Sequence, residues 1–343
     1  MSQHGAMKVE LRNEIHGGLP PHDDHPYRSG VWRPQYREYD AWDLDVEGEI
    51  PDDLAGMYLR NTETAVFEPA KRYHPFDGDG MIHSIGFANG EATYANRFVR
   101  TEGFLAEQEA GRSLWAGITE HPSNAEADHG WGARSMMKDN ASTDVIVHRG
   151  EALASFYQCG ELYRLDPHTL ETKGTTEWGG FFPQEGVSAH PRVDEHTGEL
   201  LFFNYGIEAP YMHYGVVSPA GELVTYIDVP LPGPRLPHDM MFTEKWTILN
   251  DLPLFWDPEA LASGHYSNGV TCRVGSRWCR GTAPPKTSGG SRLTRPSSST
   301  GPTPTRTVTR SSSTASSSTT PRLEALTAVR TSTRSTRGSR PST

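Results

Sequence analysis

Two histidines that adjoin prolines, His190 in SAHPRVDEHTGEL and His238 in RLPHDMMFTEKWTILND, stand 48 residues apart. Neutral imidazole is the commonest protein ligand for a divalent transition metal. Each of the two heads an apolar, strand-like run, so each alone reads equally as an ordinary turn histidine. Their interval favours metal chemistry. Forty-eight residues is about the length of one four-stranded propeller blade, and equivalent positions on neighbouring blades would aim both rings at one axis. Asp194 or Asp239 offers a carboxylate that would complete a two-histidine-one-carboxylate site.

Other chemistries find less support. The segment YHPFDGDGMIH contains Asp77-Gly78-Asp79-Gly80, which lacks the further acids and closing Glu of a calcium loop and reads as a tight turn whose Asp side chains cap backbone N–H groups. There is no Gly-x-Ser-x-Gly nucleophile elbow and no Gly-rich phosphate loop leading into a helix. Nothing selects two of the many carboxylates for glycoside cleavage.

The elements that must position the histidines are short alternating runs separated by turn formers. Hairpins are expected around Asn89-Gly90, Arg149-Gly150, Thr197-Gly198 and Ala220-Gly221, and in RLDPHTLETKG. Helical periodicity is confined to a turn or two near Glu102–Ala110 and near Pro258–Ala262. The fold class is therefore all-β, and the recurrence of hairpins suggests propeller blades. Residues 1–40, rich in Pro, Gly and His, read as an irregular arm, with the body over 41–268.

Beyond that the composition changes. All 15 His lie at or before His265, whereas Ser and Thr supply 33 of the 73 residues from Thr271 to Thr343. That tail carries 12 Arg and one Lys against the single acid Glu324, a net of +12 that leaves −23 on the body, for −11 in all. So acidic a body is a poor match for nucleic-acid phosphates, and the spaced tail arginines lack interleaved Tyr or Phe. No run of apolar residues is long enough for a membrane helix, the polar start lacks a signal-peptide core, and a cytoplasmic protein is the default. Cys159 stands alone in the body, while Cys272 and Cys279 fit no common zinc knuckle, so no disulfide is expected.

The segments HPYRSGVWRP, VEGEIPDDLAGMYLRN, RYHPFDGDGMIHSI, YANRFVRTEGF, YRLDPHTLET, SAHPRVDEHTGELLFF and PHDMMFTEKWTILNDLPL, in this order, resemble the carotenoid cleavage oxygenases from about His25 to about Tyr266. The resemblance implies a seven-bladed β-propeller with iron(II) on its axis, held by four histidines, of which His190 matches the first and His238 the second. It further implies dioxygen and a hydrophobic conjugated substrate, cleaved at a carbon-carbon double bond to two carbonyl compounds. Peripheral contact with a membrane surface is compatible with it. Gln158 stands where many members carry a Glu that hydrogen-bonds a ligand histidine, so it is expected beside the metal ligands. Tyr157 occupies the place of a phenol-binding Lys, and Arg60-Asn61-Thr62-Glu63 replaces the commoner Arg-Asn-Gly-Pro. Matches to the third and fourth ligand histidines are absent.

The tail, 269–343, has the composition of a disordered segment, and also that of a misread frame. Shifted by one base, Thr294–Arg306 permits DPTFVLHWANAYE, which resembles the family's third-ligand motif, and a frameshift would fall near Asn268–Val270. On either reading residues 271–343 are not expected to pack. The chain is then an incomplete propeller, poorly soluble and weak in iron. A non-catalytic propeller that binds a partner through its rim is the rival class.

Overall fold

Turn chemistry and strand alternation set the architecture. In the computed structural model, which describes residues 6–20, 24–69, 73–118, 120, 122–127 and 137–251 together with two strand segments at 293–294 and 326–330, four sheets follow one another along the chain. The first holds β1 (Lys8–Glu14), β2 (Arg37–Trp42), β3 (Gly56–Thr64), β4 (Asp79–Ala88) and β5 (Glu91–Phe98), in the order β1-β2-β5-β4-β3. The second runs β6 (Asp144–His148), β7 (Glu151–Ser155), β8 (Tyr163–Leu165) and β9 (Thr172–Thr175), and the third runs β10 (Arg192–Asp194), β11 (Glu199–Tyr205), β12 (Met212–Val217) and β13 (Leu223–Asp228). Both are simple antiparallel meanders. The fourth, ordered β14-β15-β17-β16, joins β14 (Met241–Phe242) and β15 (Trp246–Asn250) to β17 (Leu326–Arg330) and β16 (Leu293–Thr294). No sheet closes on itself among the described residues.

The five expected hairpins all form. Asn89 and Gly90 have φ of 53° and 74°, and Arg149 and Gly150 have 55° and 76°, the paired positive values that suit a two-residue turn to twisted strands. One helix, α1 (Glu102–Ala110), fills the expected place; Thr101 caps it by accepting from the Phe104 N–H at 3.0 Å, and Gly111 ends it at φ 68°. The second helical expectation, Pro258–Ala262, lies outside the described residues, as do Cys272 and Cys279.

Period-two alternation builds the core as layers between successive sheets. On β11, Leu200 and Phe202 face the second sheet and pack with Leu153, Leu162, Trp178, Val187 and Val217. The intervening Leu201, Phe203 and Tyr205 face the fourth sheet, against Tyr214, Met240 and Leu249. β11 is thus buried on both faces, and each full burial of such a side chain stabilises by about 1.5–3 kcal/mol. Ile82, Val99, Ala152, Ala154, Tyr163 and Leu165 make the layer between the first and second sheets. The edge strands β3, β6 and β10 adjoin in turn, so successive sheets present one edge each to a shared interior line.

Two expectations are corrected. The arm over 1–40 is not wholly irregular, because β1 forms the outer edge of the first sheet with every residue exposed. It is held by its backbone ladder to β2, with exposed ion pairs from Lys8 to Asp43, Arg12 to Asp40 and Arg37 to Glu14 and no buried apolar face, so hydrophobic alternation does not mark it. The tail does contribute structure at β17, which pairs antiparallel with β15 from Trp246↔Arg330 to Asn250↔Leu326. LTAVR has no Pro or Gly and includes the β-branched Thr327 and Val329, so it suits the ladder groups that β14 leaves open on β15.

Candidate metal centre

His190 and His238 meet. Their Nε2 atoms are 3.3 Å apart, with ring centroids at 4.9 Å and planes at 87°. Each ring precedes the first strand of its sheet, His190 before β10 and His238 before β14. The backbone around His190 is fixed on both sides of the chain. Val187 N–H donates to Gly160 O at 2.9 Å, Ser188 N–H to Phe203 O at 2.9 Å, and the Ser155 hydroxyl to Ala189 O. Ala189 is itself fully buried against Phe156, Tyr157 and Met137. Around His238, Pro237 is buried and Met240 is anchored in the apolar layer with Leu249 and Tyr214.

Polar contacts tie these points from sheet to sheet. Asn61 on β3 donates through Nδ2 to the carbonyls of Ala141, at 2.7 Å, and Asp144, at 3.1 Å. Asp144, first residue of β6, accepts at Oδ2 from His190 Nδ1 at 2.7 Å and at Oδ1 from the Val145 N–H at 2.8 Å. Arg192, two residues past His190, places Nη2 2.7 Å from both carboxylate oxygens of Asp239, the neighbour of His238. Asn250 on β15 then donates to Asp239 O at 2.7 Å. Asn61 and Asp144 thus stand on strands of the first and second sheets, and His190 and His238 just before the first strands of the third and fourth.

A carboxylate oxygen only accepts, so the contact to Asp144 puts the His190 proton on Nδ1 and leaves the Nε2 lone pair directed at His238. His238 is exposed on one side, and its pKa is lowered by partial desolvation and then by the adjacent His190, which favours its neutral form. Two nitrogens bound to one divalent ion at about 2.1 Å each stand roughly 3.0–3.4 Å apart. The observed 3.3 Å fits two ligands on one ion. Among the described residues no group of three or more His, Cys, Asp or Glu is arranged to hold a metal, so the pair stands alone.

The remaining sequence candidates fall elsewhere. Asp194 turns its Oδ1 to the His196 N–H at 3.0 Å and closes the β10–β11 turn, and Asp239 is held by Arg192, so neither carboxylate completes a triad. Gln158 is buried, hydrogen-bonds neither ring, and its Nε2 meets no acceptor among the described residues. Asp144, which no motif marked, makes the contact expected of a residue at Gln158. Asp77 behaves as the turn reading requires, accepting from the N–H groups of His74 at 2.9 Å and Ile118 at 2.7 Å; burial pushes its carboxyl up to about 7. Asp79 instead pairs with buried Lys138 at 2.8 Å, which also reaches Glu107 at 2.6 Å. Gly80 is required there, since a Cβ would strike Ala141 O.

A row of rings leads from the arm toward the pair. Trp32 meets Tyr27 at 6.5 Å, Tyr27 meets His74 at 5.9 Å, His74 meets Phe76 at 4.8 Å, and Phe76 meets Tyr157 at 5.2 Å. Tyr157 and Phe156 then pack on Ala189, beside His190. No helix among the described residues is long and apolar enough to cross a membrane.

Residues 32–278 match the family model described as Retinal pigment epithelial membrane protein. Isoeugenol monooxygenase of Pseudomonas nitroreducens is 32% identical over 279 residues, covering 75% of this chain and 56% of that protein. Carotenoid 9,10(9',10')-cleavage dioxygenase 1 of Phaseolus vulgaris is 30% identical over 255 residues, covering 69% and 46%. Among solved structures, the lignostilbene dioxygenase of Pseudomonas brassicacearum superposes with a TM-score of 0.64 at 30% identity, over 72% of this chain and 51% of that one. A cobalt-substituted apocarotenoid oxygenase of Synechocystis gives 0.58 at 28% identity, over 69% and 52%. The chain spans about half the length of the curated relatives it matches.

Proposed function

The chain belongs to the carotenoid cleavage oxygenase family, and from that premise we propose that it carries two ligands, His190 and His238, of an iron(II) centre for oxidative cleavage of a conjugated carbon-carbon double bond. The observation that carries this reading is the 3.3 Å approach of two Nε2 atoms supplied by neighbouring sheets. A cobalt-substituted relative adds that a divalent ion belongs to such a scaffold. When bound, ferrous iron would supply dioxygen activation, with both oxygen atoms ending in two carbonyl products.

What the chain's own residues do is hold and orient. Asp144 keeps the His190 proton on Nδ1, Arg192 and Asp239 keep the third and fourth sheets at a fixed spacing, and the apolar layer under Ala189 excludes water from one side of the pair. The ring row through Phe76 and Tyr157 suits a flat, conjugated, apolar substrate, and Tyr157 in place of a lysine argues against a phenolate-anchored one. The four sheets belong to a seven-bladed propeller whose further blades and two further histidines lie in sequence this chain does not match. His190 and His238 supply two of the four ligands of the proposed centre. A one-base frameshift near Asn268–Val270 accounts for this, and the nucleotide sequence from the codon for Gly264 to that for Gly275 tests it directly; an intact frame ends the frameshift explanation.

The decisive experiment purifies both the chain as written and the product of a frame-corrected gene, loads each with iron(II), and assays carotenoids, apocarotenoids and stilbenes for aldehyde products. Products are expected only from the corrected chain and are expected to vanish in its His190→Ala and His238→Ala variants. Absence of products and of bound metal from the corrected chain would leave the non-catalytic propeller in possession.

A further inference from the structure

We infer that Asp144 is the positioning residue of the dihistidine pair: through one carboxylate oxygen it fixes both the tautomer and the ring plane of His190. The inference rests on the proposed metal reading for its consequence, while its first observable, a proton position, is independent of any metal.

The geometry assigns each oxygen of Asp144 a separate task. Oδ1 accepts from the Val145 N–H at 2.8 Å, which stops the carboxylate from rotating, and Oδ2 is thereby left for His190 Nδ1 at 2.7 Å. The backbone of Asp144 is pinned in turn, because its carbonyl accepts from Asn61 Nδ2, which also reaches Ala141 O. Asp144 opens β6 in the second sheet whereas His190 precedes β10 in the third, so the contact sets the ring from outside its own sheet. An acceptor at Nδ1 leaves Nε2 as the ring's basic nitrogen, and that atom faces His238. Without the acceptor an imidazole distributes its proton between both nitrogens, and a ring proton on Nε2 blocks ligation.

Histidine-selective ¹⁵N labelling of the metal-free full chain, read by long-range ¹H–¹⁵N correlation at pH 8, tests the first part. His190 is expected to show a protonated Nδ1 and an unprotonated Nε2. Asp144→Leu, which keeps the branching at Cγ and removes the acceptor, is expected to shift His190 toward the Nε2–H form, and the smaller Asp144→Ala is expected to do the same. Asp144→Asn has one acceptor oxygen for two N–H donors; while Oδ1 serves the Val145 N–H its amide Nδ2 faces His190 Nδ1, so the ring is expected to shift toward the Nε2–H form as well. Cobalt(II) titration supplies the second readout: affinity falls about 10- to 100-fold in both Asp144→Leu and Asp144→Asn. A folded Asp144→Leu protein with an unchanged His190 tautomer and unchanged cobalt affinity would overturn the inference. If instead His190→Ala binds cobalt as well as the parent chain, the metal reading fails while the tautomer result is judged separately.

Discussion

The third and fourth sheets each follow a histidine of the pair, yet they are built in opposite ways. In the third, four strands succeed one another between Arg192 and Asp228, and β11 and β12 are buried on both faces. In the fourth, β14 and β15 form a two-stranded hairpin whose remaining partners, β17 and β16, come from beyond residue 290 and pair parallel to each other. Local hairpins close short loops, whereas the β15–β17 pairing must close one of about 75 residues at greater entropic cost. His190 is accordingly fixed by a rigid sheet, and His238 depends on Met240 and Leu249 reaching into the layer that the third sheet provides. A proposed metal centre built across such a boundary is only as firm as its weaker side.

The largest expected effect breaks the comparison on its strong side. Phe202 is fully buried, stacks on Trp178 at 4.8 Å, and lies directly against Gly215 on the neighbouring strand. Phe202→Ala is expected to cost about 3–5 kcal/mol in a urea titration, with the whole chain losing cooperativity. A cost below about 1 kcal/mol would mean that the third sheet is not the organising layer.

A smaller, local effect is expected on the other side. Ala328 pairs with Ile248, and Ala328→Pro removes a ladder donor from the middle of β17. Hydrogen exchange of the β15 amides from Thr247 to Leu249 should quicken roughly tenfold to a hundredfold, with β11 and β12 unchanged. Equal change in both sheets would show that the fourth is as integral as the third.

What the sequence disclosed follows the same division. Hairpins and the dihistidine pair were legible because turn chemistry and blade-length spacing are local or periodic signals: Asn89-Gly90 and Arg149-Gly150 turn as their composition demands. β1 was not, because it is held by backbone pairing to β2 with every residue exposed, so no buried apolar face marks KVELRNE. Asp144 was invisible for another reason. It lies 46 residues from His190, in a different sheet, and its role arises only when β6 and β10 come side by side. Gln158 is marked by resemblance alone, and among the described contacts it is Asp144 that meets a ring of the pair.

The smallest predicted stability change probes the seam itself. Arg192 and Asp239 are substantially exposed, with side-chain accessibilities of 37% and 48%, so solvent screening holds their contribution to stability at about 1 kcal/mol or less. Their value is geometric. The pair crosses from β10 to the segment before β14 one or two residues from each ring, and Asp239 is committed further to the Met240 N–H at 2.7 Å and, through its carbonyl, to Asn250. Arg192→Met keeps an unbranched apolar stem and removes the ion pair, so the thermal midpoint should hardly move while cobalt(II) affinity falls about tenfold. Raising the salt concentration in the parent chain should reproduce part of that loss, since an exposed ion pair is screened within a Debye length of about 8–10 Å. If affinity stays constant in the variant, the spacing of the two rings is set by the apolar layer beneath them, and the weaker sheet holds its histidine without help from the seam.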